Sequence, residues 1–286
     1  MVDLSIIILS YNTKEITRNC LLSLNKFIDN DKIEIIVVDN GSSDSSKEML
    51  QQTKNIKAIL NGTNIGYPKG NNQGLTFARG RYVLFLNSDT LVNNIDFENI
   101  IDYLDRNLEI GALTVKVSLD NNNIDLASHR GFPTIWNAFC YFSKLEKVLG
   151  KIPFLGYLFG GYHLSYKDLN KIHEIDSPTG AFFFARKDLL LKLKGFDEDF
   201  FMYGEDLDLS YRIKENKYKI IYYPLYEVIH LKYRSGLNKK GPSNITARKH
   251  FYESMKIFYR KHYANNNFSF VNKLVYFFID LKSKVS

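Results

Sequence analysis

The chain has 286 residues, 45% of them apolar and 14% aromatic, which suits one large packed domain with an appendage and argues against any long disordered tract. Its two cysteines, Cys20 and Cys140, have no CxxC spacing, which excludes a disulfide framework and a cysteine-rich zinc site. The net charge of +7 is unevenly placed: residues 231–286 hold twelve Lys or Arg against Glu253 and Asp280, while the first 230 hold 26 basic and 29 acidic groups.

The opening MVDLSIIILSYN has neither the basic n-region nor the long apolar run of a leader, so the chain is expected in the cytoplasm. No window reaches the roughly 20 apolar residues of a bilayer crossing. LSIIIL (4–9), IEIIVVD (33–39), IKAIL (56–60) and RYVLFLN (81–87) are β-branched and almost continuously apolar, which predicts buried strands. Helical spacing over 13–27, 44–52 and 70–78 separates them, with Thr13 and Asp44 as N-caps. This succession predicts an α/β fold with a mostly parallel, doubly wound sheet whose ligands lie beyond the carboxyl ends of the strands. Those ends read SYN (10–12), DNGSSD (39–44), NGTNIGYPKGNNQG (61–74) and NSDT (87–90).

A helix over 96–106, a strand over 111–119 and an Asn-rich turn at 121–123 follow. Residues 132–164 form an aromatic, glycine-punctuated insert, expected to be a mobile, acceptor-facing or membrane-facing segment; a hydrophobic helical hairpin over the sheet edge is the alternative. GAFFFARKDLLLKL (180–193) predicts a strand running into a helix. A helix over 205–216 would point Leu209 and Ile213 inward and pair Asp208 with Arg212. Strands YKIIYYP and YEVIHL close a domain of residues 1–236. Residues 237–286 form a basic amphipathic tail with helices over 246–262 and 271–284. That tail suits contact with an anionic lipid surface or another polyanion, with solubility alone as the other explanation.

The first strand is not followed by GxGxxG, and GxxxxGK[ST], GxSxG and HExxH are absent, which disfavours nicotinamide, P-loop, hydrolase and metalloprotease readings. Isolated acids at strand ends remain. Asp39 would accept an N–H of a base or a ribose hydroxyl, or simply order its own loop. Asp89 would hold a hard cation bridging to a diphosphate, or cap the next helix. Gly66 and Gly70 would let the backbone approach a ligand, with a helix starting near Gly70 facing a diphosphate and Lys69 adding charge; a tight turn explains the glycines equally well. Gly180 and Ala181 would leave room for a sugar, or pack. FDEDFFMYGEDLDLSYR (196–212) sets six carboxylates among aromatics, and Asp197, Glu198 and Asp199 are expected in a solvated turn.

SIIILSYN, IIVVDNGSSD, NIGYPKGNNQG, LFLNSDT, GAFFFARK, FDEDFFMYGEDLDLSYR and VIHLKYRSG, in this order over residues 4 to 236, resemble the successive signatures of family 2 glycosyltransferases. They are most like bacterial rhamnosyltransferase-like enzymes of cell-surface polysaccharide synthesis. The resemblance implies a Rossmann-like GT-A fold, a dTDP- or UDP-linked sugar donor with L-rhamnose favoured, Mg2+ or Mn2+, and inversion at the anomeric carbon. It places Ser10 and Asn12 in the nucleotide pocket, Asp39 at the base, and Asn64, Gly66, Lys69, Gly70 and Asn71 in a second donor loop. Asn87-Ser88-Asp89 stands where the family has DxD, losing the first acid, so Asp89 and His230 would be the metal ligands, although His230 also reads as a structural histidine. Gly180 would lie by the sugar, Asp206 would be the base and Glu205 would orient the acceptor, a saccharide or lipid-linked saccharide. The enzyme would sit on the inner face of the membrane through its basic tail, or use the same helices to form a homo-oligomer, with no nucleic-acid partner. A non-catalytic nucleotide-sugar-binding module is the alternative, and a nucleotidyltransferase a weaker third reading.

Overall fold

The computed structural model describes residues 1–28, 31–232 and 242–285. Strands β1 (Leu4–Ser10), β2 (Ile33–Asp39), β3 (Lys57–Leu60) and β4 (Tyr82–Asn87) pair in parallel in the order β3-β2-β1-β4. Helices α1 (Lys14–Ser23), α2 (Asn25–Ile28), α3 (Ser46–Gln52) and α4 (Tyr67–Phe77) connect them. The register sets Ser10 beside Asp39 and Leu9 beside Asn87, so the carboxyl ends are level and three of the polar loops meet at one rim. Alternate residues pack into separate cores on the two faces, Ile6, Ile8 and Leu84 on one and Ile7, Val83 and Phe85 on the other, which is why these strands are apolar without alternation.

All three expected helices differ at their boundaries; α3 begins at Ser46 with Ser45 rather than Asp44 at its N-cap, although Asp44 Oδ1 still accepts the Ser46 amide. The first divides at Leu24, because the Ser23 hydroxyl donates to the Cys20 carbonyl and accepts from the Val92 amide, competing with the helical ladder. Helix α4 starts at Tyr67 rather than near Gly70: Gly66, at φ +92°, turns the chain, and Pro68 fits a first helical turn.

The remaining elements are β5 (Thr90–Asn94), α5 (Phe97–Arg106), β6 (Ile110–Leu119), α6 (Ile135–Phe142), α7 (Leu145–Leu149), α8 (Leu155–Phe159), β7 (His173–Ile175), β8 (Phe183–Arg186), α9 (Lys187–Lys192), α10 (Glu205–Glu215), β9 (Lys219–His230), α11 (Pro242–His262) and α12 (Ser269–Val285). Strand β8 pairs antiparallel with both β4 and β6, β9 runs parallel to β6, and β5 and β7 add to β9 antiparallel, completing a curled sheet flanked by helices. The two strands expected over 218–224 and 226–231 are one, β9, with a register shift that leaves residues 224–226 out of the pairing with β6, where Pro224 cannot donate to the ladder. The aromatic insert is helical, as α6 to α8.

The C-terminal helices pack on the domain instead of trailing from it. Phe258 of α11 joins Phe200 and Leu207, and Lys261 lies 2.5 Å from Asp197 and 2.7 Å from Asp199. The turn at 197–199 is therefore tied by an ion pair rather than merely solvated. Asp208 pairs with Arg212 as the spacing indicates and also receives His262 Nε2 at 2.8 Å. The domain boundary expected at 236/237, and residues 233–236 of the last motif, lie outside the described residues. Among the described residues no helix is long and apolar enough to cross a membrane.

Candidate active site

A cleft of about 1620 Å3 opens at the carboxyl rim of the parallel strands and runs toward α6 and α11. Next to the lining residue Asn40 at its first end, Asp39 is fully buried and does not itself line the cleft; Oδ1 accepts the Ser42 amide at 2.9 Å, and Oδ2 has no hydrogen-bond partner among the described residues. A buried carboxylate oxygen left without a donor suits a ligand N–H or hydroxyl. Asn40, which sequence reasoning passed over, spreads its amide across the neighbouring loop: Nδ2 donates to Asn64 Oδ1 and the Gly66 carbonyl, while Oδ1 accepts from Asn61 and the Ile65 amide. Asn12, at φ +52°, accepts the Ser43 amide at 2.8 Å and so ties the first loop to the second.

Several expected pocket residues serve the scaffold instead. Ser10 is buried and bonded to Thr13 and Thr17. A Cβ on Gly70 would meet Leu9 at 2.4 Å, and one on Gly66 would meet the Phe201 carbonyl at 2.9 Å, so these glycines admit the protein's own chain rather than a phosphate. Asn71 is buried and donates to the Tyr67 carbonyl, while Lys69 is exposed; neither lines the cleft. Gly180 does line it, but the space a side chain would take is filled by the Tyr67 hydroxyl, 2.2 Å from an added Cβ. Tyr67 donates to Asn87 Oδ1 at 3.0 Å, and burial followed by the charges of Glu205, Asp206 and Asp89 holds its hydroxyl well above the usual phenol range.

Midway along the cleft the end of β9 sets His230 Nε2 3.2 Å from Asp89 Oδ1 and its Nδ1 2.8 Å from Asp125 Oδ2. Asp125, not anticipated from sequence, also receives Lys232 at 2.7 Å and the Ala127 amide. Burial opposes the charge on His230, but its hydrogen bonds to Asp125 and Asp89 outweigh that and raise the imidazole to about 9. Burial works against the Asp125 charge too, yet His230 and Lys232 hold that carboxyl far below its ordinary range. Ser88 lies alongside, its hydroxyl 3.5 Å from that of Thr13.

Gly204, at φ +80°, turns the chain into α10, which presents Glu205 and Asp206 to the cleft from its first turn. Asp206 Oδ2 accepts from Arg130 Nη2 at 2.6 Å, and the same nitrogen donates to the Pro178 carbonyl at 2.7 Å. Arg130, like Asn40 and Asp125, is a cleft residue that sequence reasoning missed. Glu205 is buried, and its Oε2 has no hydrogen-bond partner among the described residues. Burial first, then the adjacent Asp206 charge, push its carboxyl well above the ordinary range. One cleft therefore holds the Asn40–Asn64 amides at one end, with the orphan Asp39 oxygen buried next to them, a carboxylate–histidine pair in the middle and two carboxyls of unlike environment beyond.

The profile of Glycosyl transferase family 2 matches residues 5–167. The rhamnosyltransferase WbbL of Escherichia coli (strain K12) is 26% identical over 233 residues, 79% of this chain and 82% of that protein. The minor teichoic acid biosynthesis protein GgaB of Bacillus subtilis (strain 168) is 33% identical over 108 residues, 36% of this chain and 12% of its own length. Among solved structures, S. aureus TarS 1-349 superposes with a TM-score of 0.57 at 19% identity, covering 90% of this chain and 64% of that one. The mannosyltransferase PcManGT from Pyrobaculum calidifontis, in complex with GDP-Man and Mn2+, gives 0.58 at 17%, covering 93% and 65%. The chain spans most of WbbL, under two thirds of either solved structure and a small part of GgaB. The structural likeness establishes the GT-A fold.

Proposed function

The chain belongs to glycosyl transferase family 2, and from that premise we propose that it is an inverting transferase moving a sugar from a pyrimidine nucleotide diphosphate to a hydroxyl of a saccharide or lipid-linked saccharide, in the assembly of cell-surface polysaccharide. The observation that carries the reading is one cleft that joins Asn40 and Asn64, with the orphan Asp39 Oδ2 buried next to Asn40, to the Glu205–Asp206 pair. Uracil and thymine offer Asp39 the same N–H between two carbonyls, so UDP and dTDP donors both fit. L-rhamnose is favoured as the sugar by the likeness to WbbL over four fifths of that protein.

The residues fit Mg2+ or Mn2+. Asp89 Oδ1 and His230 Nε2 are adjacent; an ion would take the place of the Nε2 proton that Asp89 accepts, while Asp125 keeps the other proton on Nδ1, as a carboxylate behind a ligating histidine does. Among the described residues no group of three or more His, Cys, Asp or Glu is placed to hold an ion, so diphosphate oxygens and water would complete the shell. Bound there, the ion would neutralise charge on the leaving diphosphate.

In the transfer the bond from the anomeric carbon to the diphosphate oxygen breaks, a bond from that carbon to the acceptor oxygen forms on the opposite face, and the acceptor proton passes to Asp206. The carboxylate asked to take that proton is already paired with Arg130. It suffices because an oxocarbenium-like transition state makes the attacking hydroxyl strongly acidic before its proton leaves. Arg130 positions Asp206, and Glu205, protonated through burial, would donate to an acceptor oxygen and orient it. Incubation with dTDP-L-rhamnose and with UDP-sugars, with Mg2+, Mn2+ or chelator, should release nucleotide diphosphate only with acceptor and metal. The missing first acid at Asn87 favours a binding module as the second reading. Donor binding with no turnover on any acceptor would sink the transferase and leave that module.

A further inference from the structure

Resting on the transferase reading above, we propose that the acceptor is carried on a hydrocarbon chain, and that this chain lies in the far half of the cleft between α6 and the α11–α12 pair. The cleft, at about 1620 Å3, exceeds the roughly 300–1,000 Å3 of small-molecule sites. Its acids and amides gather at the strand rim. Beyond Glu205 the walls are Trp136, Phe139 and Phe142 of α6 on one side and Phe251, Met255 and Phe278 of α11 and α12 on the other. The Lys282 ammonium, 5.5 Å from the Phe142 ring centroid, links the two walls.

The insert and the start of α12 also carry large exposed apolar side chains outside the groove. Phe154 is 90% exposed and Tyr157 74% on the insert, as are Phe268 at 77% and Phe270 at 64% near the start of α12. Soluble monomers seldom leave so many large apolar side chains together in water. Charge selects the occupant. Lys144, Lys147, Lys151, Lys273, Lys282 and Lys284 are exposed on these elements. The acids among them are engaged: Glu146 is buried against His163, and Asp280 is paired with Lys256. An apolar groove with Lys282 in its wall, on a molecule that exposes further lysines on the insert and α12, complements a lipid whose hydrocarbon is joined to phosphate, drawn from an anionic surface. A second copy of the chain would bring the same lysines face to face, which costs association.

Trp136, the single tryptophan and 44% exposed at the groove, reports occupancy directly. Its emission should shift to the blue and saturate at one equivalent of monomeric geranylgeranyl diphosphate. Inorganic diphosphate and isopentenyl diphosphate should leave it unchanged. Phe139→Asp and Phe278→Asp, on opposite walls and both more than half exposed, should each weaken the geranylgeranyl response by about tenfold with the fold intact by circular dichroism. Equal responses to the long and short probes, or no response, overturn the assignment. So does a response that appears only with dimerisation in sedimentation, or quenching by brominated phosphatidylglycerol vesicles without any geranylgeranyl effect. None of these readouts needs turnover, so nucleotide release failing while geranylgeranyl diphosphate binds would remove the transferase reading and leave the groove.

Discussion

Replacement of Arg130 by Ala tests how the acidic end of the cleft is held together. The Arg130 and Asp206 side chains are each 10% exposed, and their nitrogen and oxygen are 2.6 Å apart. Removing one partner of a buried pair costs about 3–5 kcal/mol, because the surviving charge stays desolvated. Here the surviving Asp206 would also stand beside Glu205 with no cation between them and the cleft, and the Pro178 carbonyl would lose its donor. Urea unfolding at pH 7 should therefore show a loss of about 3 kcal/mol for Arg130→Ala. Asp206→Asn alone, which strands the guanidinium, should lose a comparable amount. The double variant should cost well under the sum, leaving a coupling of about 2 kcal/mol or more. Arg130→Lys should rescue only part of it, since the shorter lysine side chain does not bring its ammonium to the position of Nη2, the one nitrogen that serves Asp206 and Pro178 together. A coupling within about 0.5 kcal/mol of zero would refute the pairing as the element that fixes Asp206.

Asp206→Asn should also lower turnover by about 10²–10⁴-fold while donor affinity, measured by calorimetry, stays near the parent value; turnover within a few-fold of parent removes Asp206 as base. Asp39→Asn keeps an acceptor for the Ser42 amide but turns a donor toward the base, so UDP and dTDP should bind about 10- to 100-fold more weakly, and an unchanged Kd contradicts the base contact. Asp125→Asn should weaken donor-dependent Mn2+ binding by about 10- to 100-fold, read by electron paramagnetic resonance; equal Mn2+ affinity would exclude His230 as a ligand oriented by Asp125. Glu205 binds its proton more tightly folded than unfolded, so its contribution to stability falls as pH rises from the unfolded carboxyl value toward the folded one. Between those two values Glu205→Gln should gain on the parent by about 1.4 kcal/mol for every pH unit climbed, read by urea unfolding at pH 5, 6 and 7, and a pH-independent difference would show that Glu205 is not held protonated.

The parallel half of the sheet was legible because strands buried on both faces need an uninterrupted apolar run, and those runs end at the polar loops that meet at the rim. Asp39, Asn64, Asn87 and Asp89 stand where such runs end, whereas His230 was reached only through the resemblance to family 2 glycosyltransferases. The glycines were harder to read, since a glycine that admits a ligand and one that admits Phe201 or Leu9 look alike in a string; only the fold tells Gly66 and Gly70 apart from phosphate-binding turns. Asp125 and Arg130 had no local signal. Their partners His230 and Asp206 lie 105 and 76 residues away, and the strand β6 that brings them to the cleft ends several residues earlier. The C-terminal helices read as a separate tail because their amphipathic pattern does not say what they cover; Phe258, Lys261 and His262 pack them onto the α10 side of the site.

The six carboxylates of residues 197–208 are best understood by where their counter-charges come from. Asp197 and Asp199 meet Lys261, Asp208 meets Arg212 and His262, and Asp206 meets Arg130. Glu198 accepts from Asn72 at the surface. Glu205 is buried with an oxygen that no group among the described residues satisfies. Two adjacent carboxyls, one ion-paired and one desolvated, cannot hold their protons equally, and the proton goes to the desolvated one. The pairings thus leave one accepting and one donating carboxyl at the start of a single helix. An acceptor sugar carries hydroxyls of both kinds, one to be deprotonated as it attacks and another that can accept a hydrogen bond, so in the proposed transfer Arg130, by pairing with Asp206 and not with Glu205, would determine which carboxyl meets the attacking oxygen.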